Sequence, residues 1–235
     1  MDEQRRVVVT GGGGRIGRAV VPPLGSRWRL TATDLDGGPS VEKLDVTDLA
    51  ACRAAFAGAD AVVHLAADPD PEASWEELLP ANVVGAYTVA QAALDCGVRR
   101  LVLASSLQAV SAVPPPVQVR AGDQARPANL YGATKAWAEA LGSWVAATSP
   151  TSVVALRIGY FMEARPDPRT GDPLEVSSWL SSRDAVELVR AAVEADVQGL
   201  VVANGISANR HRRADLEETG RLIGYHPRDD AWHDG

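Results

Sequence analysis

Short apolar runs alternate with longer stretches of helical periodicity along most of the chain. Arg6-Val7-Val8-Val9-Thr10 is a continuous β-branched run, the pattern of a strand buried on both faces. Similar runs predict strands over 28–33, 60–65, 101–104, 152–158 and 199–203. Helical stretches lie between and beyond them, over 16–24, 49–56, 75–96, 131–148 and 184–195. Strict β–α alternation implies a parallel sheet with helices on both faces. The predicted fold class is therefore α/β, a doubly wound parallel sheet. Residues 1–159 would form its core. Residues 160–235 would form a smaller region with a returning strand and helices, not an independent domain.

Two segments break the rhythm. One runs over 111–129 and carries Pro114-Pro115-Pro116, and the other runs over 160–175 and carries Pro166, Pro168, Gly171 and Pro173. Long loops of this kind in a compact domain tend to be functional. In such a sheet both leave carboxyl ends of strands, where ligands bind.

Composition narrows the reading. The chain has 235 residues, 46% of them hydrophobic, and a formal charge of −7. That size suits one domain with a sizeable core, and that charge argues against nucleic acid or an anionic membrane as partner. Arg210, Arg212 and Arg213 are too short a cluster to reverse it. Cys52 and Cys96 show no metal spacing and read as free thiols of a reducing compartment; no metal site is expected. No signal sequence and no apolar run near the ~20 residues of a membrane span is apparent, so a cytoplasmic protein is expected.

The first strand runs directly into Thr10-Gly11-Gly12-Gly13-Gly14-Arg15-Ile16-Gly17. Gly11, Gly14 and Gly17 are spaced G-x-x-G-x-x-G between a strand and a helix. Glycine permits the tight turn, lets backbone N–H groups approach a pyrophosphate and lets the helix pack close to the strand. The helix N-terminus offers positive partial charge to the phosphates. Asp34, at the end of the second strand, suits the ribose hydroxyls and disfavours a 2′-phosphate, which points to NAD rather than NADP. Arg15 is a loop cation that could assist a phosphate.

Only two of the 23 basic side chains are lysines, and one of them, Lys135, follows Tyr131 by four residues. On a helix these two share a face. An ammonium there is expected to lower the tyrosine pKa and make a general base. Ser105 and Ser106 end the fourth strand, at the rim where such a site lies. Ser106, Tyr131 and Lys135 together suit hydride chemistry on an alcohol or carbonyl: the serine orients the oxygen, the tyrosine exchanges its proton, and the lysine tunes the tyrosine and can hold the nicotinamide ribose.

On these residues the chain resembles the extended short-chain dehydrogenase/reductases, the group of NAD-dependent epimerases and dehydratases with a Rossmann fold. The resemblance runs nearly end to end, through Thr10–Gly17, Asp34, Asp45-Val46, His64-Leu65-Ala66-Ala67, Asn82, Ser105-Ser106, Tyr131–Lys135 and Arg157-Ile158-Gly159. It implies that Arg15, Ile16, Asp45, Val46, Leu65, Ala66, Ala67, Asn82 and Ile158 join the glycines, Asp34, Tyr131 and Lys135 around NAD. It also implies a small C-terminal substrate-binding appendage. His64 matches a structural strand-end residue.

The short C-terminal region suits a small substrate. Leu107-Gln108 replaces the Asp-Glu pair of the dehydratase pattern. Within the family the chain is similar to the uronate dehydrogenases, through Ala104-Ser105-Ser106, Arg126-Pro127, Trp179-Leu180-Ser181, Ser207-Ala208-Asn209 and Leu222-Ile223-Gly224-Tyr225. The departures are Leu107-Gln108 for a polar Asn-His pair, Tyr160 for a serine, and Leu174 where that group clamps a carboxylate with arginine. Arg165 and Arg169 lie in a longer version of the same loop. Asp70, Ser106, Leu107, Gln108, Tyr160, Arg165 and Arg169 are expected to face the substrate. The resemblance implies an NAD-dependent oxidoreductase acting on a hydroxyl of a sugar acid, sugar or polyol. A sugar or sugar-nucleotide epimerase and a non-catalytic dinucleotide sensor are the alternatives. Trp137, Leu141, Trp144 and Val145 on the Tyr131 helix suggest a homo-oligomer.

Overall fold

The computed structural model describes residues 4–232. Its elements run β1 (Arg6–Thr10), α1 (Arg15–Leu24), β2 (Arg29–Asp34), β3 (Glu42–Lys43), α2 (Leu49–Phe56), β4 (Ala61–His64), α3 (Trp75–Leu78), α4 (Ala86–Asp95), β5 (Arg100–Ser106), α5 (Leu130–Thr148), β6 (Ser152–Ile158), β7 (Tyr160–Phe161), α6 (Pro173–Ser177), β8 (Trp179–Leu180), α7 (Ser182–Glu194), β9 (Leu200–Gly205) and α8 (Glu217–Ile223). Seven strands form one parallel sheet in the order β3-β2-β1-β4-β5-β6-β9, and β7 and β8 form a separate pair. Strand order reverses between β1 and β4, which creates the crevice where open α/β sheets bind ligands.

The buried strand residues face two apolar layers. Val7, Val9, Val63, Val154 and Leu156 pack with residues of α1 and α7, and the same cluster takes in Leu180, Ile206 and Tyr225. Residues beyond 160 therefore share the main core. Val8, Val62, Leu101, Leu103 and Val153 pack on the other side, with Cys52, Phe56, Val89 and Val145. The six predicted strands are present with small shifts of their ends, and β3 is an additional edge strand that follows β2.

The stretch 75–96 is not the single helix expected. It divides into α3, a π-helical turn over Leu79–Gly85, and α4. Pro80 has no N–H to continue the α-helical ladder. Gly85 packs so closely that a Cβ there would come 2.8 Å from Val46 Cγ2. The wide turn leaves Asn82 buried, as π-bulges often do at working sites.

One polar cluster ties the layers together. Arg157 on β6 is buried and forms a two-point ion pair with Glu139 on α5, through Nε and Nη2 at 2.8 and 2.9 Å. Glu139 also accepts a hydrogen bond from the Ser105 hydroxyl at 2.7 Å. Arg157 Nη2 donates to the Asp123 carbonyl at 2.9 Å, which pins the first long loop to the sheet.

Removing one partner of a buried pair strands the other charge. Glu139→Ala should therefore lower unfolding free energy by about 3–5 kcal/mol, while Glu139→Leu combined with Arg157→Met should recover part of that loss. Urea denaturation of the three proteins checks both statements; equal losses in the single and double variants would contradict them.

Candidate active site

The glycine loop is shaped for close approach. Gly11 has φ +74°, and a Cβ on it would lie 2.5 Å from the Ala66 nitrogen. A Cβ on Gly17 would lie 2.3 Å from the Gly11 carbonyl oxygen. The loop, the first turn of α1 and the Leu65-Ala66 backbone therefore meet with no room for side chains. The N-cap Gly14 brings no side-chain acceptor to α1, so its first N–H groups are available to an anion. Asp34 ends β2 and accepts the Gly13 N–H at 2.9 Å, which orders the loop beside it. This cradle fits the pyrophosphate and ribose of a dinucleotide.

The other expected cofactor residues take different positions. Asp45 is exposed, and its carboxyl lies below the usual range because the Thr47 hydroxyl and N–H both donate to it. Val46 is buried in the core. Asn82 donates to the Asp68 carbonyl at 3.0 Å and to Thr134 Oγ1 at 3.2 Å, and accepts from the Asp68 N–H at 2.7 Å. It thus joins the segment after β4 to α5. Ile158 pairs with Ser106 across the sheet. His64 is buried with Nδ1 2.8 Å from Thr10 Oγ1. Burial, helped by the charge of Lys135, pulls its pKa down to about 3, so it is neutral.

Ser106, Tyr131 and Lys135 converge at the carboxyl end of β5. The reason is a backbone contact. A Cβ on Gly132 would come 2.3 Å from the Gln108 carbonyl oxygen, so only glycine lets α5 sit this close to the turn that follows Ser106. Asn129 caps α5 by accepting the Gly132 N–H at 2.7 Å. Its Nδ2 donates to the Gln108 side chain at 3.1 Å. Ser106 Oγ accepts the Gln108 N–H at 3.1 Å.

Lys135 lies beside Tyr131, as the spacing suggests, and is also anchored on the main chain. Its ammonium donates to the Ala104 carbonyl at 3.2 Å and lies 5.4 Å from the centre of the Tyr131 ring. Burial pushes the Tyr131 phenol above its ordinary value, opposed by a hydrogen bond with Ser106 and by the charge of Arg15. Lys135 itself is buried and brought down to about 8, with Asp68 opposing the fall. Ser106 and Arg15 thus favour the phenolate against burial.

The expected substrate positions divide. Leu107 packs partly against the core. Asp70 is exposed and accepts the Glu72 N–H at 2.9 Å; Asp68, two residues earlier, is the carboxylate that acts on Tyr131 and Lys135. Arg169 is exposed and paired at two points with Asp167, both at 3.1 Å. Arg165 is exposed in the same loop. Tyr160 is half-exposed and interacts with Glu175 and Arg15. Asp68 carries no spacing signal in the sequence.

Residues 7–170 match the model of the NAD dependent epimerase/dehydratase family. The chain is 38% identical to L-arabinose 1-dehydrogenase (NAD(P)(+)) of Haloferax volcanii over 96% of its length and 97% of that protein. It is 36% identical to the NAD-dependent glucose-6-phosphate dehydrogenase of the same organism, over 96% and 94%. Among solved structures it is similar to uronate dehydrogenase from Agrobacterium tumefaciens, with a TM-score of 0.86, 32% identity, and coverage of 97% of this chain and 85% of that one. On the family match and these identities, the chain belongs to the NAD dependent epimerase/dehydratase family.

Proposed function

We propose that the protein is an NAD-dependent dehydrogenase that oxidises a hydroxyl of a sugar or sugar derivative, with Tyr131 as general base. The observation that carries this reading is the convergence of Ser106, Tyr131 and Lys135 beside a glycine cradle fitted to a dinucleotide. The named functions of the relatives support the class. They act on an aldose, an aldose phosphate and a uronate, so the class is shared while the substrate differs.

Ser106 holds the substrate oxygen by hydrogen bonding, and the ionised Tyr131 takes its proton. NAD, when bound, accepts the hydride from the carbon that carries that oxygen, leaving a carbonyl. Arg15 and Ser106 favour the phenolate that burial opposes. Lys135, anchored on the Ala104 carbonyl, holds the ribose side and adds positive charge near the ring. Asp34, at the end of β2 beside the glycine loop, disfavours a 2′-phosphate, which supports NAD as the preferred dinucleotide.

A homo-oligomer through α4 and α5 is part of the proposal. Leu141 and Val145 are core, but Val84, Tyr87, Trp137 and Trp144 are 37–46% exposed. Tyr87 and Trp144 stack with ring centres 6.3 Å apart. Aromatic groups in such a cluster are typical of a buried subunit contact.

Three outcomes follow. Tyr131→Phe should lower kcat by about 10²–10⁴ while still quenching or enhancing NADH fluorescence on binding; full turnover in this variant excludes Tyr131 as base. Lys135→Met should raise the stability of the cofactor-free protein at pH 7 by about 2–3 kcal/mol while abolishing turnover. The sign comes from a folded pKa of about 8 against an ordinary 10.5. Between these values the unfolded chain binds more protons, so wild-type stability rises with pH there, and the variant should lack that rise in thermal melts. Trp144→Glu should shift the protein to a monomer by light scattering, and a monomeric wild type refutes the α4/α5 contact.

A further inference from the structure

Contact between Gly132 and the Gln108 carbonyl limits how close α5 comes to the turn after Ser106. A steric contact sets only a lower bound on a distance, and its own attraction is too weak to hold the parts together. Hydrogen bonds supply the opposing pull. The Arg126 N–H donates to the Ala109 carbonyl at 2.8 Å, and the Arg126 carbonyl accepts the Ala112 N–H at 2.9 Å. Ser111 Oγ accepts the Ala128 N–H at 2.9 Å. These close the neck of the first long loop. The bond from Asn129 Nδ2 to Gln108 Oε1, at 3.1 Å, differs in what it connects. At one end the Gln108 N–H donates to Ser106 Oγ at 3.1 Å. At the other, Asn129 Oδ1 accepts the N–H of Gly132, the residue after Tyr131, at 2.7 Å.

The direction of both amides in this chain is determined. A backbone N–H can only donate, so Asn129 turns its oxygen to Gly132 and its nitrogen to Gln108. That nitrogen only donates, so Gln108 turns its oxygen to Asn129. The Gln108 carbonyl accepts the Ser111 hydroxyl at 2.9 Å, so Gln108 is held by its N–H, its carbonyl and its side chain. Ser106 Oγ, occupied as an acceptor by the Gln108 N–H, keeps its own proton to donate. We propose that Asn129, acting through Gln108, is a positioning residue that holds the Ser106 hydroxyl in register with the Tyr131 phenol. The assignment rests on the dehydrogenase chemistry proposed above. It gives Gln108 a part in alignment in place of the substrate contact expected from sequence. Misplacing reacting groups by about 1 Å costs up to ~10²-fold in rate, so loss of the bridge acts on kcat.

The test follows NADH formation across the pH range, with the best substrate from a panel of neutral aldoses, aldose phosphates and uronates. Asn129→Ser keeps a capping oxygen for the Gly132 N–H but is too short to reach Gln108. Its Tm should stay within about 3 °C of wild type. Its kcat should fall about tenfold or more, with KM changed by less than about twofold. The acid limb of its kcat profile should move to higher pH, because the phenolate loses the support of Ser106. Asn129→Asp caps α5 equally well, and the Gln108 amide can turn over and donate to the carboxylate. It should therefore recover most of kcat at the alkaline plateau. Gln108→Leu should reproduce the Asn129→Ser profile, and the double variant should cost no more than either alone. A Gln108→Leu loss confined to KM would make Gln108 a substrate ligand and overturn the assignment. Additive losses in the double variant, equal losses in Asn129→Ser and Asn129→Asp, or an unchanged Asn129→Ser profile would overturn it too. Each of these leaves the dehydrogenase reading intact, whereas a wild type without turnover on the whole panel overturns both.

Discussion

The buried pair of Arg157 and Glu139 is the interaction from which the site geometry descends. It links the last residues of β6 to the middle of α5, takes in the Ser105 hydroxyl, and reaches the carbonyl of Asp123 in the first long loop. Glu139 follows Lys135 by four residues and Tyr131 by eight, so all three lie along one helical face. Fixing Glu139 against β6 therefore fixes the rotation of α5, and with it the direction in which Tyr131 and Lys135 project. Two charges in the core cost desolvation. Here they are satisfied by two-point pairing and by neighbouring hydroxyl and carbonyl groups, and they hold a helix at one angle.

Rotation alone does not set distance. That comes from glycines at contacts where no side chain fits. Gly132 brings α5 onto the turn after Ser106, Gly11 and Gly17 close the cradle, and Gly159 sets the path of the chain into β7. Each trades backbone freedom in the unfolded state for a contact that alanine would block. The site is thus assembled from backbone approach and one buried ion pair, and the polar side chains are carried to their places by both.

Much of this was legible in the sequence. The β-branched runs gave the sheet because strands buried on both faces need continuous apolar residues. The glycine loop and Asp34 could be read because the turn and the close approach admit few residue types. Tyr131, Lys135 and Ser106 could be read from helical spacing and a strand end. What escaped depends on contacts distant in sequence. Arg157 and Glu139 are eighteen residues apart on different elements, and no spacing rule joins them. Asn82 ties the Asp68 backbone to α5, a link between segments far apart in sequence. The division of 75–96 follows from Pro80 and from a glycine packed on Val46, a tertiary contact that overrides helical periodicity. Helical spacing puts Lys135 beside the Tyr131 ring but does not show that its ammonium also donates to the Ala104 carbonyl.

The contact between Gly132 and the Gln108 carbonyl has a consequence for how such a site can change. Because the main chain carries the approach, the position of the hydroxyl and phenol does not depend on the Leu107 side chain. Nor does it depend on Tyr160, which stands on the separate two-stranded pair of β7 and β8. The reactive apparatus and the β7/β8 pair are thus two parts joined at a fixed seam. One can be rewritten by exchange of a few side chains while the other keeps its alignment. Relatives that share this framework yet carry the names of an aldose, an aldose phosphate and a uronate are what such an evolvable division of labour would produce.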